Sequence, residues 1–431
     1  MNILITHGYS DSNKGDLAIT MACFLIVKAK YPNSKIILHS TFREKDREAF
    51  LFHNRFMSKF DIEIKQGVLP TPYTSENKSK INDLLAVYRL TKEVVQLKLS
   101  LFSSVLGRIL GGKQFQAIQD IKKSDLILIK GGQFIYNERE DLRGNLFLWR
   151  TLQPIKTAHL LKKKVIIMGQ SFGGFASEKS EKIAAKYLAY CDKIFVRERV
   201  SYNFIEKYDL DFKTKVIPDL AFYLKKKIDD TLSIKLSSNK KYLGITMVNW
   251  NFPEAENPVQ AKENYIKSII ETCIYAHENY GLTPIFIPQV TVKHHGESDI
   301  DIIKTVNKAL ISKNVKVEFY TKDLSVYEMM ALYKKCELLI GTRLHSCILA
   351  ASVATPILPI RYQGFKTQGV VDELGQKNLL LDIHNLTAKE LIDNVDFIIE
   401  NKVEIRKTLN NRTDRFIEKF NEINLEVNKL D

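Results

Sequence analysis

The chain has 431 residues, long for a single core, so two domains are expected. Hydrophobic residues make up 45% and charged residues 26%, the balance of a soluble globular protein rather than a disordered or fibrous one. A formal charge of +14 favours anionic partners, but the lysines and arginines are dispersed and no nucleic-acid motif accompanies them. No nucleic-acid role is expected, and solvated helix faces account for most of the charge.

The N-terminus runs directly into Ile3-Leu4-Ile5, the core of a strand over 2–8, without the basic region and long apolar stretch of a signal peptide. No run of about 18 apolar residues is present to span a membrane. The five cysteines, Cys23, Cys191, Cys273, Cys336 and Cys347, are scattered and form no CxxC pair, which suits reduced thiols in a cytoplasmic protein. The histidines are dispersed too. The adjacent pair His294-His295 reads as a loop, and no metal site is expected.

After the first strand comes a polar loop over 9–15, containing Asn13-Lys-Gly15-Asp16. Asp16 then opens a helix to about residue 30, with Ile19, Ala22, Cys23, Ile26 and Val27 on its buried face, and a strand over 35–40 follows. This is the start of a doubly wound sheet, without a dinucleotide fingerprint or a Walker sequence. The loop lies at the carboxyl end of a strand, where open α/β sheets bind ligands. Asp16 can serve there as a helix cap and as a site residue together.

Residues 71–83 read as a polar surface loop. The stretch 84–113 alternates Leu, Val, Ile and Phe with Arg89, Lys92, Lys98, Arg108 and Lys113 as a basic amphipathic helix. It fits either a core helix or a helix at an anionic membrane surface. A strand over 125–130 runs into Gly131-Gly132 and then Asn137-Glu138. A helix over 146–161, broken near Pro154, leads to a strand over 164–169 ending in Gln170. Further strands are expected over 193–196, before Arg197-Glu198-Arg199, and over 216–221. Residues 225–241 are the linker candidate.

A second α/β series follows, with strands over 242–248, 284–288, 315–319, 338–340 and 357–360, and Trp250 just after the first of them. Within it, the stretch 337–356 reads strand, turn, helix: Leu338–Ile340 as a buried strand, Gly341-Thr342 as a tight turn, and a helix from Arg343 that Pro356 ends. The first turn of that helix carries unbonded N–H groups and the positive end of the dipole. Arg343 and His345 placed there make an anion site with a proton donor. From 388 onward the chain reads as charged amphipathic helix.

These motifs carry a resemblance. Asn13-Lys-Gly15-Asp16, Gly131-Gly132, Gly169-Gln170-Ser171, Arg197-Glu198-Arg199-Val-Ser201, Pro218-Asp219-Leu-Ala-Phe222, Glu328, Gly341-Thr342-Arg343-Leu344-His345-Ser346 and Tyr362 with Lys366 occur in the order of the polysaccharide pyruvyl transferase family. The chain resembles that family over nearly its whole length, and the hexapeptide 341–346 is the most specific piece.

The resemblance implies an α/β fold of two Rossmann-like domains facing across a cleft (GT-B-like), at 1–224 and 242–399, with a C-terminal helix over 400–431 able to pack back on the first. It implies transfer of the pyruvyl group of phosphoenolpyruvate to a sugar of a polysaccharide or glycolipid precursor as a ketal. The acceptor is expected to be lipid-linked, at the inner face of the cell membrane. Phosphoenolpyruvate is then a co-substrate, with no cofactor. The donor candidates are Gly341, Thr342, Arg343, Leu344, His345 and Ser346, with Lys366 and Arg197 supplying further charge. His345, Arg343 and Asp16 are the catalytic candidates.

Phosphoenolpyruvate has a phosphate and a carboxylate, so it needs at least two cationic contacts. Arg343 can grip one and the helix N-terminus the other. A histidine can deliver the proton to the enol carbon or assist phosphate departure. Asp16 or Glu138 can take the proton of the sugar hydroxyl. Asn13, Gly15, Asp16, Gly132, Asn137, Glu138, Gln170 and Trp250 are the acceptor candidates, the polar ones for hydroxyls and Trp250 for stacking. Two departures from the family pattern stand out: Gln133 where a third glycine is common, and Val248 where a basic residue is expected. The alternatives are a nucleotide-sugar glycosyltransferase on the same fold and a non-catalytic scaffold of polysaccharide assembly.

Overall fold

A computed structural model describes residues 1–71, 80–227, 234, 236–237, 239–291, 298–320, 322–364 and 366–425. His294-His295, most of the polar loop 71–83 and part of the linker 225–241 lie outside the described residues.

The chain forms two compact units. One holds residues 1–11, 16–220 and 422–431; the other holds residues 12–15 and 221–421. The short segment 12–15 is therefore counted with the second unit although its sequence neighbours belong to the first.

The first unit is built on β1 (Asn2–Gly8), β2 (Lys35–Ser40), β3 (Glu63–Gln66), β4 (Leu126–Ile129), β5 (Val165–Gln170), β6 (Lys193–Val196) and β7 (Thr214–Val216), in the order β3-β2-β1-β4-β5-β6-β7. All neighbours run parallel. The strands read as near-continuous apolar runs because helices cover both faces of a parallel sheet. Leu126, Ile127, Leu128 and Ile129 are all fully buried.

The second unit repeats the plan. Its strands are β8 (Lys241–Thr246), β9 (Leu282–Phe286), β10 (Glu318–Phe319), β11 (Cys336–Gly341), β12 (Ile357–Arg361) and β13 (Leu381–Asp382), in the order β10-β9-β8-β11-β12-β13 and again parallel. The helix Pro258–Tyr280 ends at Gly281 in the left-handed conformation (φ 64°) that glycine adopts without strain.

Several expected boundaries move. Pro154 lies inside an unbroken helix, Leu142–Leu160, instead of breaking it. The strand expected over 216–221 is the shorter β7, followed by a 3-10 helix, Leu220–Lys227. That segment docks within the second unit: Phe222 packs on Phe416 at 4.9 Å, and Lys225 pairs with Asp414 at 2.6 Å. The C-terminal helix Lys402–Asn421 belongs to the second unit, and only the residues from Glu422 on are counted with the first. The amphipathic stretch is two helices, Lys80–Phe102 and Ser104–Leu110, separated at Ser103, whose hydroxyl caps the second. Strands β3 and β13 carry little sequence signal, being short and poor in apolar residues.

Candidate functional site

In each sheet the chain winds one way from the first strand and the other way from the fourth. The carboxyl ends of those two neighbours define the switch-point crevice where open α/β sheets take ligands. In the second unit this is the meeting of β8 and β11, where Thr246 and Gly341 are register partners.

The hexapeptide 341–346 starts there. Gly341 is the last residue of β11 rather than part of a turn, and a methyl group on it would stand 2.3 Å from Cys347 Sγ. Thr342 is buried, hydroxyl to hydroxyl with Tyr265 at 2.9 Å. Arg343 takes the cap position in extended conformation, and the helix runs Leu344–Ser352. It ends four residues before Pro356, through Ala354 in the left-handed region (φ 56°). Leu344 is buried, and Ser346 is buried with its hydroxyl donating to the Arg343 carbonyl at 2.5 Å. Gly341, Thr342, Leu344 and Ser346 are thus packed into the unit. Arg343 and His345, each only half-buried, are the two side chains of the six that the turn presents. Cys347 is no rival nucleophile, because burial pushes its thiol up to about 12.

Arg343 is held from two sides. Its Nη2 and Nε donate to Asp299 Oδ1 at 2.7 and 3.1 Å, and its Nη1 donates to the Tyr362 hydroxyl at 3.3 Å. The other Asp299 oxygen accepts from the Gln289 and Val290 amides at 3.0 and 2.9 Å. Burial pushes the Asp299 carboxyl up, while the Arg343 charge and the two amides pull it down; the net direction is upward. The Nε–Nη2 edge of Arg343 is therefore taken by Asp299, which fixes the orientation of the guanidinium.

The loop after β1 belongs to this cluster. Within the second unit, Asn13 forms an antiparallel bridge with Val290, and Lys14 N–H donates to the Gln289 carbonyl at 3.0 Å. Lys14 is buried and pairs with Asp323 at 2.7 Å. The helix opens at Lys14, not Asp16, and Asn13 Oδ1 accepts from the Gly15 amide at 3.2 Å. Gly15 lies directly against the His345 ring. Trp250 stands edge-on to Tyr362 at 5.1 Å. Asn13, Gly15 and Trp250, expected to meet the acceptor, are thus grouped with the donor candidates. Lys366 opens the helix Lys366–Glu373 in the same unit.

The first unit gathers a different set. At its own switch point, Lys130, fully buried just after β4, pairs with Asp16. The glycines beside it serve the sheet. A Cβ on Gly131 would stand 2.4 Å from the Met168 carbonyl oxygen, and Gly132 has φ 130° while bridging to Gln170. Gln170 itself is fully buried. Asn137 is buried too, donating to Ser180 Oγ at 2.9 Å and accepting from the Ala176 amide at 3.2 Å, so it staples two loops together. Glu138 is exposed on the loop after β4.

Arg197, expected to supply charge to the donor, is engaged inside the first unit. It is buried, with Nη1 donating to Asp219 at 2.6 Å and Nε to Ser171 Oγ at 2.5 Å. Ser171 donates to Glu198 at 3.0 Å, and Ser201 bonds the other Glu198 oxygen. Three of the sequence motifs meet in this one buried network. Glu328 likewise completes a capping box with Ser325.

Sequence reasoning missed Asp299, Lys14 and Lys130 as partners. Asp299 sits where a helix cap is expected, yet it makes no capping bond. Lys130 is a lysine closing a four-residue apolar strand, and that is the one local signal for it. Val248 is buried in the second unit, its amide donating to the Tyr265 hydroxyl at 3.4 Å. Among the described residues no group of acidic, histidine or cysteine side chains could hold a metal ion.

Two parallel α/β units of the GT-B type, the second with an arginine and a histidine at its switch point, define the fold class and the candidate site. The comparisons narrow the class. Residues 13–364 match the polysaccharide pyruvyl transferase family, and the chain belongs to that family. It is 25% identical to the amylovoran biosynthesis protein AmsJ of Erwinia amylovora, over 94% of each chain. Among solved structures it is similar to a putative UDP-N-acetylglucosamine 2-epimerase from Listeria monocytogenes (TM-score 0.57, 13% identity, 98% of this chain and 97% of that one). It is also similar to UDP-GlcNAc 2-epimerase from Neisseria meningitidis (TM-score 0.52, 14% identity, 98% and 100%). At such identities the structural likeness speaks to the fold.

Proposed function

We propose that this protein transfers the pyruvyl group of phosphoenolpyruvate to a lipid-linked sugar of a polysaccharide precursor as a ketal, releasing phosphate. The observation that carries this reading is the pairing of Arg343 and His345 at the start of the helix Leu344–Ser352, with the rest of the hexapeptide turned into the core. Family membership over residues 13–364 supports it.

Arg343 and the helix N-terminus bind the two anionic ends of the donor. His345 protonates the methylene carbon, giving a methyl group and a cationic centre at the carbon bearing the phosphate. One sugar hydroxyl adds to that carbon, the C–O bond to phosphate breaks, and a second hydroxyl closes the ketal. Both hydroxyl protons leave, one returning to His345 and the other departing with the phosphate. Arg343 stabilises the departing phosphate.

The test is calorimetric titration with phosphoenolpyruvate, alongside phosphate release over a panel of sugar-lipid acceptors. Binding of a nucleotide sugar without binding of phosphoenolpyruvate overturns the reading in favour of a glycosyltransferase. Binding of neither favours a scaffold.

A further inference from the structure

The helix Lys80–Phe102 has two apolar faces. Ala86, Leu90, Glu93, Leu97 and Ser100 are buried, and Leu97 joins the core of the first unit with Ala117 and Ile118. At about 100° per residue these five lie on one side. On the opposite side, Leu84, Tyr88, Val95 and Phe102 fall within about 40° of one another. All four are exposed, Leu84 at 72% and Phe102 at 85%.

The helix Ser104–Leu110 extends the stripe with exposed Val105, Leu106, Ile109 and Leu110. It folds back closely because two glycines line the contact. A Cβ on Gly107 would stand 2.8 Å from Ser100 Cα, and one on Gly111 would stand 2.2 Å from Ser100 Oγ. Glycine here fixes the direction in which the apolar residues point.

The charge around the stripe has one sign. Lys92 and Lys98 are exposed on its two flanks, and Arg108 is exposed beside Ile109. The one acidic residue over 84–113, Glu93, is turned inward and paired with Arg43 at 2.8 Å. An exposed apolar strip of this size marks an interaction surface.

We infer that this face docks on the surface of an anionic lipid bilayer. The apolar side chains enter the boundary between headgroups and acyl chains, to a depth of about 5–10 Å. Lys92, Lys98 and Arg108 lay their stems along the apolar layer and reach the lipid phosphates. A second copy of the chain fits the same face poorly, because the lysine flanks would oppose one another. Among the described residues no helix is long and apolar enough to cross a membrane, so the attachment is peripheral. The inference goes beyond the donor chemistry and does not depend on it, although a lipid-linked acceptor would be met at that surface.

The experiment is co-flotation of the full chain with vesicles of neutral lipid or of neutral lipid with about one-third phosphatidylglycerol, at low and high salt. The expected result is binding to the anionic vesicles, weakened by salt, with at least a tenfold loss in the double variant Phe102→Glu/Ile109→Glu. Lys92→Glu/Lys98→Glu should lose binding to anionic vesicles specifically. All four positions are exposed, so thermal melting should be unchanged and misfolding excluded. Absence of binding to anionic vesicles at low salt overturns the inference, as does binding unaffected by both double variants. A concentration-dependent dimer abolished by Phe102→Glu would assign the face to a second copy instead.

Discussion

A methyl group placed on Gly15 would stand 2.4 Å from His345 Nδ1 and 2.7 Å from its Cγ. The glycine of the Asn13-Lys-Gly15 loop is thus what lets the imidazole occupy its place beside Arg343. Residue 15 lies in the first turn of the helix Lys14–Lys30, where alanine is intrinsically the better helix former.

Gly15→Ala therefore separates folding from chemistry. Melting temperature should fall little, since the helix preference offsets local repacking. Displacing a catalytic side chain by about 1 Å commonly costs on the order of 100-fold in rate. Phosphate release from phosphoenolpyruvate should drop by about that factor. Full activity in Gly15→Ala would show that the ring position of His345 does not matter to turnover.

The Arg343–Asp299 pair alters how an arginine variant must be read. Removing one member of a buried pair leaves the other charge uncompensated, at a cost of about 3–5 kcal/mol. Arg343→Ala should lower the melting temperature markedly, so loss of turnover in it is not by itself proof of donor binding. Arg343→Met combined with Asp299→Asn removes both charges and should recover part of the stability while remaining inactive. Recovery of turnover in the double variant would remove Arg343 from the donor site.

The pair also has a pH signature. Burial already raises the Asp299 carboxyl, and loss of Arg343 raises it further. A group whose folded value is raised binds more protons folded than unfolded between the two values, so its contribution falls as pH rises through that window. The stability deficit of Arg343→Met relative to the native protein should therefore shrink as pH falls from neutrality toward the carboxylate range. Chemical denaturation at several pH values measures it, and a constant deficit would mean that Asp299 finds another partner.

Much of the architecture is legible in the sequence because parallel strands buried on both faces are plain apolar runs, as in Leu126–Ile129. The switch-point turn of the second unit is legible as well, since strand, glycine and helix start are local signals. Partnership is not local. Asp299 and Arg343 are 44 residues apart, and Gly15 meets His345 only after the loop joins the second unit. Arg197 is a second case: an arginine at a strand end carries no local sign of Asp219, 22 residues on, which pairs with it.

Arg197→Ala breaks a buried network linking Ser171, Glu198 and Asp219, and should cost about 3–5 kcal/mol. If that variant still folds at low temperature, its affinity for phosphoenolpyruvate should match the native protein. A selective loss of donor affinity without loss of stability would return Arg197 to the ligand.

His7 lies at the carboxyl end of β1. Its Nε2–H donates to the Thr151 carbonyl at 2.9 Å, and the Thr6 hydroxyl bonds Nδ1 at 2.8 Å, which fixes one neutral tautomer. The ring stacks on Phe134 at 4.5 Å. Burial lowers its pKa to about 4, with Lys130, Arg150 and His39 adding in the same direction against the Thr151 bond. Between pH 4 and 6.5 the unfolded chain binds this proton and the folded one does not, so stability rises with pH across that window and is lost as pH falls. The full span is worth up to about 3 kcal/mol. His7 has φ 65°, so asparagine, which tolerates that conformation, is the replacement to use. Native protein should lose stability relative to His7→Asn as pH drops from 6.5 toward 4, and parallel curves for the two proteins would show that His7 is protonated in the fold.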